Sequence, residues 1–192
     1  MCLGRMKCRV PSLEFVDLGV LDKFQLMFNK LSQDGSSKGN IERAADGRVV
    51  GVVYSLESGD LDALNRAEGL NHGYVNRTDW KVTHLNGEDW DERVFVYVAE
   101  GRYIVPDLLP YGWYMRHIIE GAHHHALPLP YIRELISRPA AEDPDTLRNA
   151  AERLFPCSRE LTKDECSQVD SLKRRNGHLS DYAKHFRAKN PS

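Results

Sequence analysis

Of the 28 acidic residues in this 192-residue sequence, Glu68 is the one whose setting asks for chemistry. It closes the segment SGDLDALNRAEG and stands directly before Gly69, a residue type that commonly ends helices in the left-handed conformation. Ser58 or Asp60 can serve as N-cap and acidic residues fill the first turn, so the spacing predicts one short helix. At 3.6 residues per turn, Leu61, Leu64 and Glu68 fall within an arc of roughly 60°. The carboxylate therefore points inward with the leucines, while Asp62, Asn65 and Arg66 take the other sides. An inward carboxylate needs a partner or a cavity. Partial desolvation and the partial negative charge at a helix C-terminus both disfavour its ionised form. A carboxyl group placed this way can exchange a proton near neutral pH, as a general acid/base must. Two blander readings stand beside this one: an ion pair with Arg77 or Lys81 on the following segment, or a side chain that leans past the helix end into water.

The elements that must hold Glu68 are mostly strands. EFVDLGVL, FQLMFNK and RVVGVVYSL read as short β-runs separated by the turn-rich DGSSKGN and ADG. YVNRTDWKVTHL and ERVFVYVA add further strands, and Asn86-Gly87 between them is a hairpin signal. After Pro110 the period becomes helical in YGWYMRHIIEGA and PLPYIRELISRP, two helices expected to pack on the sheet. From about Pro139 the chain turns polar, with Leu147, Ala151, Leu154 and Phe155 as a narrow apolar stripe, and a tail that is helical in part, loosely docked and frayed at its end is expected. The organisation expected is one domain over residues 1–138 and a charged, partly helical extension over 139–192.

Lys and Arg number 26 against 28 Asp and Glu, and the formal net charge of −2 predicts no attraction to nucleic acid or to an anionic membrane. No run approaches the ~18 apolar residues of a membrane span. Cys2, Cys8, Cys157 and Cys166 form no Cys-x-x-Cys and no zinc spacing, and read as free thiols in a reducing cytoplasm. His123-His124-His125 reads as a solvated helix end, because consecutive residues point in different directions; no metal and no cofactor is expected. Trp80, Trp90 and Trp113 read as packing residues, and Lys173-Arg174-Arg175 as a solvated face.

FNKLSQDGSSKGNI (28 to 41), VVGVVYSLESGDLDALNRAEGLNHGYV (49 to 75) and YMRHIIEGAHHHALPLPYI (114 to 132), in this order and spacing, resemble the gamma-glutamylcyclotransferase-like family. The resemblance implies an α+β fold, a small mixed β-barrel of about five to six strands with packed helices. It implies cleavage of a gamma-glutamyl amide or dipeptide by internal cyclisation, giving 5-oxoproline and a free amine or amino acid, as a lyase or acyltransferase of the kind used in glutathione metabolism. Glu68 matches the family's acid/base and Tyr114 its substrate-facing tyrosine. Lys38 at the DGSSKGN turn, which in the family's fold lies near the pocket mouth, is a further substrate-binding candidate, with Asn29 and Tyr74. The family's N-terminal Tyr-Gly-Ser-Asn turn is not found, and MCLGRMKCRVPS looks like the stretch that follows it. The expectation is a first strand missing and an activity impaired accordingly. The partner expected is a small gamma-glutamyl molecule, the assembly a monomer or homodimer. The alternative is a non-catalytic small-molecule binding or scaffold protein on the same fold.

Overall fold

The computed structural model describes residues 2–175. A short helix, α1 (Leu3–Lys7), leads into two long antiparallel strands, β1 (Glu14–Leu31) and β2 (Ser37–Ser55), which form one hairpin. EFVDLGVL and FQLMFNK are thus a single strand, not two. The register breaks between Asp22 and Phe24, where Lys23 adopts φ 65° and the AADG stretch opposite it bulges from β2. The turn signal in ADG is therefore spent on a bulge, which bends a strand without reversing it. The reversal itself falls at Ser32–Ser36, where the Ser32 N–H donates to Ser36 O at 2.9 Å and Gly35 supplies φ 87°.

α2 (Leu61–Glu68) forms as its spacing predicts and ends on Gly69 at φ 76°. Its N-cap, Asp60, makes no side-chain cap; the carboxylate accepts instead from the Ser12 hydroxyl at 2.6 Å. β3 (Tyr74–Arg77) and β5 (Val96–Ala99) make a two-stranded antiparallel sheet, and β4 (Thr83–His84) joins β1 to complete a β2-β1-β4 sheet. Asn86-Gly87 does turn the chain, with the His84 N–H on Glu88 O at 2.8 Å, but β4 bridges to Asp89 and not to β5. The two sheets meet where the buried Asn40 in β2 accepts from the Ala99 N–H in β5 at 2.9 Å.

α3 (Gly112–His124) and α4 (Leu129–Ser137) cover one face of the hairpin, so that Leu18, Val20 and Val50 are buried with Ala122, Leu127, Ile132 and Leu135. A second apolar cluster, Val10, Leu13 and Leu64 with Tyr54, Phe95 and Tyr97, seats α2 and so fixes where its last turn points.

Two readings of the C-terminal part are corrected. The stretch from Pro139 to Cys157 is packed, not loose: Trp113 donates its indole N–H to Asp143 at 2.8 Å, and Glu152 at the end of α5 (Thr146–Glu152) is only 1% exposed. The cysteines are not all free. Cys8 is bonded to Cys166 in α6 (Lys163–Arg175), while Cys2 and Cys157 are free and buried. The disulfide overturns the free-thiol reading that supported a reducing compartment. The frayed end expected of the C-terminal extension falls on residues 176–192, outside the described residues. Among the described residues no helix is long and apolar enough to cross a membrane.

Candidate active site

Glu68 stands at the last turn of α2 with its side chain 27% exposed, and Oε1 lies 3.4 Å from the Arg9 guanidinium. Neither expected cation is its partner: Lys81 pairs with Asp89 at 2.8 Å, and Arg77 is exposed in β3. The carboxylate sits where two cavities meet. One, of about 660 Å³, is polar and includes Arg9, Lys38, Tyr74 and Tyr114 in its wall. The other, of about 530 Å³, is apolar and runs between the two sheets past Val20, Val52, Leu64, Val96 and Tyr97. So the inward orientation that periodicity predicts is observed, and the group finds both a cavity and a cation.

Arg9 is tied to the cavity by the tight chain path after α1, where the Val10 N–H donates to Met6 O at 2.9 Å. Its Nε is buried without a protein partner, and burial lowers its guanidinium from the ordinary value while Glu68 acts in the opposite sense. An arginine with a spare buried N–H beside a cavity suits a planar carboxylate. Nothing in the sequence signals Arg9, since it stands 59 positions from Glu68 in a segment without periodicity.

Tyr114 in α3 and Tyr74 in β3 both close on Gly39. The Tyr114 hydroxyl accepts from the Gly39 N–H at 3.0 Å, and the Tyr74 hydroxyl donates to Gly39 O at 2.7 Å. The two are not equivalent. Tyr74 has used its proton, whereas Tyr114 still has one to donate into the cavity. Burial, with the Glu68 charge nearby, pushes the Tyr114 phenol up to about 12, which keeps it a donor at neutral pH.

Lys38 reaches the same cavity with its ammonium already engaged, 2.7 Å from Asp34 and 2.8 Å from the Ser36 hydroxyl, and it lies over the Trp113 and Tyr114 rings at 4.8 and 4.7 Å. Burial lowers its ordinary value, opposed by Asp34. It orders the wall that carries Tyr114. Asn29 is elsewhere: it donates to Glu42 at 2.7 Å and accepts from Asn40 at 3.1 Å, inside a polar bridge across β1 and β2, and does not line the cavity.

The far wall holds groups that sequence reading passed over. Arg5, His117 and Glu152 are all buried; Arg5 is ion-paired to Glu152, whose Oε2 lies 3.2 Å from His117 Nε2. Burial works against ionised Glu152, but His117 and Arg5 outweigh it and hold the carboxyl below its usual range. Cys2 and Cys157 lie against the same imidazole. The triple-histidine run diverges as expected, with His123 and His124 exposed and His125 stacked on Phe15 at 5.0 Å. Trp80 packs on Phe24 at 4.2 Å, and Trp90 on His84 at 3.9 Å.

Residues 48–135 match the AIG2-like family. Two solved structures share the fold, the crystal structure of an uncharacterized protein from Homo sapiens and one named gamma-glutamyl cyclotransferase; each is 22% identical, with a TM-score of 0.65 over 88% of this chain and 90% of that one. The fold is gamma-glutamylcyclotransferase-like. No curated relative matches the chain significantly. The segment that matches the AIG2-like family runs from β2 to α4 and includes Glu68, Tyr74 and Tyr114. Arg9, Asn29 and Lys38 lie before it.

Proposed function

We propose that this protein cyclises a gamma-glutamyl amide or dipeptide to 5-oxoproline and releases an amine or amino acid. The observation that carries the reading is Glu68, at the end of α2, opening on a polar cavity between the Arg9 guanidinium and the Tyr114 hydroxyl. A gamma-glutamyl group offers a carboxylate, an amine and a γ-carbonyl within one short chain. Arg9 suits the carboxylate. The amine, with a reference pKa near 8, attacks its own γ-carbonyl in the neutral form. As the ring nitrogen bonds to carbon it sheds a proton to Glu68, and the neutral carboxyl then protonates the departing nitrogen. One proton leaves one nitrogen and arrives on the other, so no base is consumed. The γ-oxygen is negative between these steps, and the Tyr114 O–H is a donor suited to it. Ring closure is intramolecular, so a substrate held folded supplies much of the acceleration. Lys38, Tyr74 and Gly39 hold Tyr114 in place, and Asn29 acts further away on the strand pair.

The reading is tested by incubating the full chain with a panel of gamma-glutamyl amides and gamma-glutamyl dipeptides and measuring 5-oxoproline by mass spectrometry. Turnover of at least one compound, in proportion to enzyme, is expected. Binding of such compounds without 5-oxoproline from any of them would support the non-catalytic reading and reject this one.

A further inference from the structure

Away from Glu68, three buried donors converge from three separate elements. Cys2 is the N-cap residue of α1, His117 lies in the middle of α3, and Cys157 follows α5. Their sulfur and nitrogen atoms all lie within 4.8 Å of one another, and His117 Nδ1 is 3.2 Å from Cys157 Sγ. A tetrahedral zinc ion, with Zn–S near 2.3 Å and Zn–N near 2.0 Å, needs such donors about 3.5–3.8 Å apart. The cluster is therefore within about 1 Å of that geometry before any ion draws it together.

We propose that Cys2, His117 and Cys157 form a zinc site, with Glu152 orienting the imidazole from its other side. The surroundings favour an ion over a chance meeting of thiols. A metal-binding imidazole generally donates its second N–H to a carboxylate, which fixes the ring and leaves the other nitrogen's lone pair for the metal. His117 has this arrangement: Nε2 faces Glu152 at 3.2 Å, and Nδ1 faces the sulfurs. Arg5 also lies 3.3 Å from Nε2, but its guanidinium is ion-paired to Glu152, and the carboxylate oxygen, with two lone pairs, can accept from both Arg5 and the imidazole N–H once Nδ1 is engaged. Charge balances as well. Two thiolates neutralise a divalent ion, and Arg5 neutralises Glu152, so no net charge is left buried. Two thiolates and one imidazole are a donor set suited to zinc. Cys2 and His117 border the polar cavity, which leaves the fourth position open to water or another small ligand. The set is invisible in the sequence because its members are 115 and 40 positions apart, by numbering from Cys2 to His117 and from His117 to Cys157. It stands apart from the cyclisation reading and does not need it.

The test uses the full chain, reduced and without an oligohistidine tag, loaded with zinc chloride, freed of excess metal by gel filtration and measured by elemental analysis. About one zinc per chain is expected to remain, with proton release on loading, because thiols and imidazole must deprotonate to bind. Cys157→Ser and His117→Ala should each reduce retained zinc at least tenfold, whereas the double change His123→Ala and His124→Ala should leave it unchanged. Cobalt chloride in place of zinc should give a thiolate-to-metal charge-transfer band. Should the site variants misfold by circular dichroism, the unaltered chain still decides: zinc should protect Cys2 and Cys157 from iodoacetamide, located by mass spectrometry. No retained zinc, equal retention in Cys157→Ser, loss with the His123 and His124 changes, or alkylation of both thiols at the same rate with and without zinc would overturn the proposal.

Discussion

Replacing Glu152 by Gln tests whether the segment after Pro139 is part of the folded unit or an appendage. Glu152 is 1% exposed and lies between Arg5, 8% exposed, and His117. Glutamine keeps the volume but leaves the Arg5 guanidinium buried without a countercharge, a loss of about 3–5 kcal/mol when one partner of a buried pair is removed. For a chain of this size 1 kcal/mol moves Tm by about 2–4 °C, so a fall of about 6–20 °C is expected in a thermal melt. The double change Arg5→Met with Glu152→Met removes both charges and should recover much of that loss, since a buried pair replaced by apolar groups is often neutral. The pH dependence follows from the same geometry. Because Glu152 is held below its ordinary value in the folded chain, its contribution is present above the unfolded carboxylate range near 4.3 and is lost as pH falls through the lower folded value. The wild type should therefore lose more stability than Glu152→Gln between about pH 5 and 3. A shift under about 2 °C for Glu152→Gln, with parallel pH profiles, would show that Arg5 and Glu152 are solvated and the reasoning mistaken.

Reduction of the Cys8–Cys166 disulfide, which spans 158 positions, should lower stability by about 2–4 kcal/mol in denaturant titration; no change in the midpoint would mean the bond is absent in solution. Tyr114→Phe loses the acceptor for the Gly39 N–H and the hydroxyl suited to the oxyanion, so kcat for 5-oxoproline release should fall about 10²-fold for about 1 kcal/mol of stability; a loss of stability alone would remove Tyr114 from the chemistry. Gly69→Ala forces a Cβ into a left-handed residue at φ 76° and should cost about 1 kcal/mol or more, read in urea, with an unchanged midpoint refuting the C-cap assignment. Arg9→Met should raise KM more than it lowers kcat if the guanidinium holds a substrate carboxylate, and an unaltered KM would exclude that role.

What the sequence made legible follows from local rules. The amphipathic spacing of Leu61, Leu64 and Glu68 and the glycine after them specify a helix, its end and its inward face without reference to the rest of the fold, and α2 has all three. The helical period after Pro110 likewise yields α3 and α4, because their apolar stripes are set by 3.6-residue spacing. Strand boundaries were less legible. The same turn-forming residues that reverse the chain at Ser32–Ser36 only bulge it at AADG, and the choice depends on β1 pairing across the break, which no local pattern encodes. Contacts between distant segments were not legible at all. Arg9 beside Glu68, Cys8 with Cys166, and Cys2 beside Cys157 join positions whose spacing carries no period. The segment from Pro139 read as a frayed tail because its apolar stripe is narrow, and two of the stripe's leucines, Leu147 and Leu154, are in fact 62% and 81% exposed; the residues that anchor the segment, Asp143, Arg148 and Glu152, are charged. Buried charge is what composition reads as surface.

The central claim is that the Glu68 carboxylate moves the proton between two nitrogens, and Glu68→Gln isolates it, since glutamine keeps the size of the side chain and still accepts from Arg9 across the long 3.4 Å contact of this half-buried pair. The decisive measurement is the rate of 5-oxoproline release by wild type and Glu68→Gln, with Tm recorded for both. The account predicts a loss of about 10²-fold to 10⁴-fold with Tm within about 3 °C; a variant that retains a third or more of the wild-type rate would contradict it.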